Sequence, residues 1–199
     1  MTVVVAFNGT LAADSQTTMQ GKHGRNSIKV NSVCGVTFNK SQQVVGYACC
    51  GSVLDIAEFD NLIKDRFLND SQAKFELEEI LQQYASPLIN KNLQVLFLMS
   101  DGSVLKVDLN NVNMSALKLK PKSELVVIGS GASICSNVPK DIKVKLTAME
   151  YAYVASKLAP GCGGPINYIN ITNTEVSYFK PNINQKDKIR QWIDTVLFN

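Results

Sequence analysis

The order of the predicted elements indicates an α+β fold in which two antiparallel β-sheets pack together and helices cover their outer faces. The strands occur in runs along the chain instead of alternating one by one with helices, which argues against a doubly wound parallel sheet. A tight-turn signal joins the first two strands, and the helical segments carry apolar residues at 3.6-residue spacing. The 199 residues contain no internal repeat, low-complexity tract or Pro/Ser-rich linker, so we predict one domain over residues 1–199.

A β-hairpin opens the chain. Residues 3–7 are apolar and mostly β-branched, Asn8-Gly9 is the strongest short hairpin signal, and residues 10–13 return. A helix is predicted to begin at Ser52, because Asp55 three residues later approximates a capping box and an apolar face continues to Phe67. The remaining strands are predicted at residues 27–32, 34–39, 44–50, 93–100, 103–108, 125–129, 166–171 and 175–179, and the remaining helices at 73–85, 141–158 and 185–197.

The composition excludes several classes of protein. Apolar residues make up 45% and charged residues 19%, and the net charge of +3 is scattered, so neither disorder nor nucleic-acid binding is favoured. No apolar run reaches the length of a membrane span, and the N-terminus lacks the basic flank of a signal peptide, so a cytoplasmic protein is expected. The five cysteines, without a CxxC pair, and the single histidine predict reduced thiols, no metal site and no cofactor.

Thr2 is the first candidate for chemistry. Removal of the initiator methionine is normal when the second residue is small, and it would leave Thr2 with a free α-amine beside its own hydroxyl. Nucleophile and base would then belong to one residue. An α-amine has an intrinsic pKa of about 7.7–8.0, so it can accept the hydroxyl proton near neutral pH without a histidine.

Two charged residues are predicted to lie beside Thr2. With the turn centred between the two residues of the hairpin loop, Val3 lies opposite Asp14 and Thr2 lies opposite Ser15. Lys29 falls on the next predicted strand. A lysine ammonium near the threonine hydroxyl would favour its deprotonation, and Asp14 could hold that ammonium in place.

Two glycine turns add hydrogen-bonding groups to this set. Gly51 joins a buried strand to the helix that begins at Ser52, where free N–H groups and the helix dipole favour a negative charge and could form an oxyanion hole. Ser130 follows the predicted strand at 125–129 and supplies a hydroxyl on a tight turn between two glycines.

The ordered set of motifs resembles the proteasome β-subunit family, including the bacterial HslV-type peptidase, within the N-terminal nucleophile hydrolases. The matching segments keep the family's order over nearly the whole chain: Thr2 opening a Val-rich strand, Ala13-Asp14-Ser15-Gln16, Ile28-Lys29-Val30, Gly46-Tyr47-Ala48, Gly51-Ser52-Val53-Leu54-Asp55, Ile128-Gly129-Ser130-Gly131 and Gly163-Gly164-Pro165.

The resemblance implies a four-layer αββα sandwich and a threonine endopeptidase. By position, Thr2 would be the nucleophile, Asp14 and Lys29 would tune it, the Gly51 N–H would stabilise the oxyanion, and Ser130 would assist proton movement near the amine.

The resemblance also implies how substrates and partners would be bound. Cys49 would lie at the base of the pocket for the residue that precedes the cleaved bond and would favour a small or apolar side chain. Thr18 falls where the family hydrogen-bonds the substrate backbone. The family further implies polypeptide substrates, a homo-oligomer of stacked rings of six or seven subunits, and an AAA+ unfoldase as partner.

The sequence departs from the family pattern at three places. Asp14 follows Thr2 after fewer residues than usual, which indicates a trimmed turn. Ala159 and Cys162 replace the usual aspartate and the serine three residues later. The segment after Gly131 is short and contains Pro139, so one helix of the usual pair is expected to be truncated.

Two other functions remain open at the level of the sequence. A non-catalytic ring or scaffold protein with the same fold would account for Ala159 and for a retained Met1. An amidase acting on a small molecule would need an open polar pocket, and an arginine to fix a substrate carboxylate is not evident near the motifs.

Overall fold

The structure is a computed structural model that describes residues 2–19, 22–69, 75–84, 92–110, 117–138 and 146–198. Its strands are β1 (Val3–Phe7), β2 (Thr10–Asp14), β3 (Gln16–Met19), β4 (Lys22–Asn26), β5 (Val30–Ser32), β6 (Val36–Phe38), β7 (Gln42–Gly51), β8 (Phe75–Glu76), β9 (Leu93–Met99), β10 (Val104–Asp108), β11 (Leu119–Lys120), β12 (Val126–Gly129), β13 (Ile166–Asn170) and β14 (Asn173–Phe179). Its helices are α1 (Val53–Asn69), α2 (Leu77–Tyr84), α3 (Ala132–Ser136), α4 (Ala148–Leu158) and α5 (Ile183–Phe198).

These strands form two large sheets and one separate hairpin. The first sheet has five strands in the order β12-β1-β2-β13-β14. The second has seven, in the order β11-β10-β9-β7-β6-β8, with β5 also paired to β7. Strands β3 and β4 pair only with each other among the described residues. The pairs are antiparallel except for β6 with β8, which is parallel.

Both large sheets are buried on both faces, which explains why their strands are almost continuously apolar. On β1, Val4 and Ala6 point to an inter-sheet core shared with Ala48 and Leu96 of the second sheet. Val3, like Val5, points to the opposite face, because successive side chains on a strand alternate.

Helices cover the two outer faces. Tyr151 of α4 and Trp192 of α5 pack with the outer face of the first sheet. Phe59 of α1 and Leu81 of α2 pack with the outer face of the second. Three cores therefore separate four layers, and the predicted αββα sandwich of two sheets is confirmed.

The hairpin register follows from the two-residue turn. Asn8 and Gly9 both have positive φ, as this type of tight turn requires, and Val4 pairs with Ala13. The same register brings Asp14 beside the start of β1. The structure therefore has Asp14 next to Val3 at the start of β1, as the hairpin register predicted.

Several predicted boundaries were wrong, and the structure supplies the reasons. The strand predicted at 27–32 begins only at Val30. The helix predicted from residue 73 begins at Leu77, because Phe75 donates its N–H to the carbonyl of Gly35 and forms β8. The β3–β4 hairpin, β11 and α3 were missed, because none of these short segments has an apolar period. The parts of predicted helices at 73–74, 85 and 141–145, and the break at Pro139, lie outside the described residues.

Helix α4 begins with a complete capping box. The Thr147 hydroxyl accepts the N–H of Glu150, and the Glu150 carboxylate accepts the N–H of Thr147 at 2.8 Å. Lys188 of α5 reaches the same carboxylate at 3.4 Å. The capping box and this ion pair thus connect the start of α4 to α5. None of the described helices is long and apolar enough to cross a membrane.

The close approach of the two sheets makes a prediction about Gly46 on β7. A Cβ there would lie 2.6 Å from the carbonyl oxygen of Asn31 and would overlap Cδ1 of Ile169 on β13. We expect Gly46→Ala to lower the free energy of unfolding by about 1–3 kcal/mol, measured by urea denaturation.

The added variant Ile169→Val supplies the control, because it removes the methyl group that the new Cβ meets. Alone it should cost about 0.5–1.5 kcal/mol, and in the double variant it should recover part of the loss. Additive losses would contradict a contact between these two positions.

Candidate active site

Thr2, Asp14 and Lys29 form one buried cluster at the edge where the two sheets meet. Lys29 Nζ donates to Thr2 Oγ1 at 2.8 Å and to Asp14 Oδ1 at 3.1 Å. It also donates to the carbonyl oxygen of Gln16. Three acceptors therefore satisfy the three N–H groups of the ammonium, although Lys29 is only 6% exposed.

The Asp14 carboxylate accepts hydrogen bonds from two segments of backbone. It is fully buried at the end of β2. Oδ1 accepts the N–H of Val3 at 2.9 Å, and Oδ2 accepts the N–H of Gly163 at 3.0 Å. Charge and hydrogen bonds together compensate the burial of this group, which would otherwise be costly.

Lys29 lies where two effects on its pKa oppose each other. Burial lowers the pKa because it disfavours the ammonium form, and the neighbouring Asp14 carboxylate offsets part of that effect. Lys29 directly precedes β5, and its side chain points into the cluster.

Ser130 contacts the backbone nitrogen of Thr2, and Cys162 contacts Ser130. That nitrogen donates to Ser130 Oγ at 3.3 Å, and Ser130 Oγ donates to the Thr2 carbonyl at 3.2 Å. Cys162 Sγ lies 3.3 Å from Ser130 Oγ. Burial raises the pKa of the Cys162 thiol, so it is uncharged at neutral pH. Ala159 packs in the apolar cluster beneath α4.

Two glycines allow backbone segments to come close to Thr2. Gly129 has a φ of 88°, and a Cβ there would overlap the Thr2 carbonyl oxygen. Gly51 has a φ of 155°, and a Cβ there would overlap the carbonyl oxygen of Asn92. Side chains at either position would push these strands apart. Gly51 itself is exposed at the end of β7.

Two pockets meet at Thr2 and Gly51. The first, which we call the α1 pocket, is about 210 Å³. It is also lined by Thr17, Ser27, Ile28, Lys29, Val53, Ile56, Ala57 and Asp60. The second, which we call the polar pocket, is about 450 Å³ and is also lined by Cys50, Asn92, Gln94, Asn110, Gly129 and Ser130. Thr2 thus borders both pockets, which together form the cleft at the candidate site.

Cys49 lies in the core beneath α1, and Thr18 lies on the separate β3–β4 hairpin. Cys49 is 2% exposed and packs in the core beneath α1, and the described lining of the pocket includes Asp60 but not Cys49. Burial raises the pKa of the Cys49 thiol well above its usual range. Thr18 is part of β3, with its Cα opposite that of His23.

Three contributors to the site were not identified from the sequence. The carbonyl of Gln16 and the N–H of Gly163 are backbone groups, which residue type does not reveal. Asp60 has a sequence signal, because it follows Val53 by seven residues and so shares one helical face with it. Within the described ranges, no group of three or more His, Cys, Asp or Glu side chains is placed to hold a metal ion.

The buried ion pair makes a prediction about stability. Asp14→Ala would leave the Lys29 ammonium buried without its carboxylate, so we expect a loss of about 3–5 kcal/mol in the free energy of unfolding. Asp14→Ala combined with Lys29→Met should recover much of that loss, because no unpaired charge remains.

A matched control is the exposed pair Lys120–Glu124. It has the same 3.1 Å separation as Lys29–Asp14, but its side chains are 46% and 43% exposed. Glu124→Ala should cost less than about 1 kcal/mol. Equal losses for Asp14→Ala and Glu124→Ala would show that burial does not govern the pair.

Comparison with known proteins identifies the fold. No protein-family model and no curated protein matches the sequence. The solved structure of Anbu from Hyphomicrobium sp. strain MC1 is similar at a TM-score of 0.63 and 12% identity, over 98% of this chain and 95% of that one. A Gly-1 mutant of Anbu from the same strain has a TM-score of 0.65 and 12% identity, over 100% and 96%. Anbu from Yersinia bercovieri, described as an ancestral β-subunit, has a TM-score of 0.60 and 13% identity, over 99% and 94%.

These similarities correct the family suggested by the sequence motifs. The assignment to the proteasome β-subunit and HslV-type family was wrong, because the matching structures are Anbu proteins, which are proteasome-like in fold but distinct from that family. The motif spacing resembled that family because the shared fold constrains it. At 12–13% identity the comparison establishes a proteasome-like fold.

Proposed function

We propose that the chain is a threonine peptidase in which Thr2 is the nucleophile. The observation that carries the proposal is the buried contact of 2.8 Å between Lys29 Nζ and Thr2 Oγ1, with Asp14 as the counter-ion of that lysine. A buried ammonium beside a hydroxyl favours loss of the hydroxyl proton. A structural threonine at the start of a strand has no need of a buried lysine.

The proposed reaction begins once the residues before Thr2 have been removed and its α-amine is free. Thr2 Oγ1 attacks the carbonyl carbon of the scissile amide, and its proton passes to that amine. Ser130 Oγ, 3.3 Å from the Thr2 nitrogen, accepts a hydrogen bond that orients the amine. The carbonyl π-electrons move to oxygen and give a tetrahedral oxyanion.

The Gly51 N–H is proposed to stabilise that oxyanion. Gly51 lines both pockets beside Thr2, so a carbonyl that is attacked by Thr2 Oγ1 lies close to it. The intermediate then collapses, the C–N bond breaks, and the Thr2 ammonium returns its proton to the leaving amine. Water attacks the remaining threonyl ester and releases the carboxylic acid product.

The cleft favours a polypeptide over a small molecule as substrate. It extends to both sides of Thr2, so it can hold residues before and after the cleaved bond. Its lining is mixed, and no arginine lies among the described lining residues to fix a single substrate carboxylate. We therefore place a peptide across Thr2, with Thr18 on β3 as a candidate for pairing with its backbone.

A non-catalytic protein of the same fold is the second candidate. Ala159, at the position where the proteasome β-subunit pattern has an aspartate, is 5% exposed within an apolar cluster. The neighbouring group at Ser130 is the Cys162 thiol. A network without that carboxylate would suit a chain that has kept the fold and lost the reaction.

Covalent labelling decides between these candidates. Intact mass after incubation with a threonine-directed epoxyketone should show one adduct, which peptide mapping places at Thr2. Thr2→Ala should give none, and Lys29→Met should slow labelling by about 10²–10⁴-fold. Thr10→Ala, on the adjacent strand and outside the site, should label like the parent.

A chain that keeps the residues before Thr2 and forms no adduct would contradict the peptidase and support the second candidate. A Thr2→Ser variant refines the result, because a serine hydroxyl beside an α-amine can perform the same attack.

We also propose that the chain assembles into a ring with copies of itself. The support is its similarity in fold to Anbu, one structure of which is described as an ancestral β-subunit. Native mass spectrometry of the purified protein should show a closed oligomer of identical chains. A single species at the mass of one chain, 21.8 kDa, would overturn this proposal.

A further inference from the structure

One face of α1 forms a wall of the α1 pocket that changes from apolar to acidic along the helix. Val53, Ile56 and Ala57 present apolar groups, and Asp60 follows on the same face. These positions are spaced by three, four and seven residues, which is the repeat of one side of a helix. The pocket therefore has an apolar stretch that begins near the nucleophile and reaches an acidic group.

The length of this wall suits a long side chain. Helix α1 starts two residues after Gly51, which lies beside Thr2 at the mouth of the pocket. A rise of 1.5 Å per residue separates Val53 from Asp60 by about 10 Å along the helix axis. A short or branched side chain placed at Thr2 would end against Val53 or Ile56 and leave Asp60 without a contact.

The Asp60 carboxylate is held in place and keeps one oxygen available. The Tyr47 hydroxyl donates to Oδ1 at 2.9 Å from within the core. No described cation lies within ion-pair distance of Asp60. Lys64, one turn further along α1, is exposed, and its charge offsets part of the effect of burial on the pKa of Asp60. Lys29, which lines the pocket, is paired with Asp14. Partial burial raises the pKa of Asp60, so a bound cation would stabilise its charged form.

In the proposed reaction, the position of Ser130 indicates which side of the cleaved bond occupies this pocket. The leaving amine takes its proton from the Thr2 nitrogen, which is hydrogen-bonded to Ser130. Ser130 lines the polar pocket, so the leaving group lies there. The acyl half of the substrate, which stays attached to Thr2, must then extend into the α1 pocket.

We infer that the α1 pocket binds a lysine or arginine side chain of the residue whose carbonyl is attacked, with its methylene stem along Val53 and Ile56 and its cationic end on Asp60. This inference rests on the proposed function and names its substrate class. Long cationic side chains bury their stems on apolar surface and pair only at the tip, which is the pattern of this wall. It replaces the expectation of a small or apolar side chain that was based on Cys49.

A pair of isosteric substrates isolates the charge. We would measure kcat/KM for acetylated peptide aminomethylcoumarins that differ only at the residue before the coumarin, with lysine, arginine, norleucine or glutamate. Norleucine has the stem of lysine without its ammonium. The parent protein should cleave the lysine and arginine peptides at least about tenfold better than the norleucine peptide, and the glutamate peptide least.

Asp60→Asn tests the residue itself. The amide keeps an oxygen that can accept the Tyr47 hydroxyl, so the core contact is retained while the charge is lost. The ratio of lysine to norleucine should fall towards one. Glu58→Gln, which removes an exposed charge from the same helix, should leave the ratio unchanged. If Asp60→Asn does not fold, the ratio in the parent protein decides alone.

The outcomes separate the two levels of the proposal. Cleavage with norleucine equal to or better than lysine would overturn the specificity and leave the peptidase standing. An unchanged ratio in Asp60→Asn would remove Asp60 from the recognition of the cation. An epoxyketone adduct at Thr2 that forms at least about tenfold faster with lysine than with norleucine at the same position would support both levels. The absence of any adduct or cleavage would overturn the proposed function and the specificity together.

Discussion

The ion pair between Asp14 and Lys29 is the constraint on which the site depends. Its three polar heavy atoms bind the start of β1, the backbone of Gln16, the loop at Gly163 and the hydroxyl of Thr2. A charge pair this deeply buried is tolerated only when its remaining hydrogen-bonding capacity is filled. The pair therefore requires all four segments to be in place, and the geometry around Thr2 is set by the fold as a whole.

The two sheets bring these segments together because both are buried on both faces. Gly46 lets β7 approach β13 closely, and Gly129 lets β12 run against the backbone of Thr2. The nucleophile candidate is consequently attached to the rigid inter-sheet core, while the cleft that reaches it lies between the start of α1 and the end of β12. A nucleophile held rigidly beside an open cleft is already in position when the substrate binds, so binding does not have to order it.

The sequence could predict the parts of this arrangement that are local or periodic. Asn8-Gly9 fixes the hairpin register, and that register alone places Asp14 beside Thr2. The runs of adjacent strands likewise predict two packed sheets. Contacts made by backbone groups, such as the Gly163 N–H, depend on how distant segments meet and carry no signal in residue type. The family assignment was wrong for a related reason. Motif spacing reflects the constraints of a shared fold more than it reflects common ancestry.

Ala159 stands where the proteasome β-subunit pattern has an acid, and this difference affects the proton chemistry expected of a free Thr2 amine. A carboxylate beside an amine stabilises the protonated amine, which cannot accept the hydroxyl proton. The Thr2 nitrogen donates to the Ser130 hydroxyl, which lies beside the uncharged Cys162 thiol, and the oxygens of Asp14 accept from Lys29, Val3 and Gly163. The Lys29 ammonium, which donates to Thr2 Oγ1, would disfavour a second positive charge on a free Thr2 amine. Alanine at position 159 is thus compatible with an amine that acts as base. Ser130 is then the group that orients that amine.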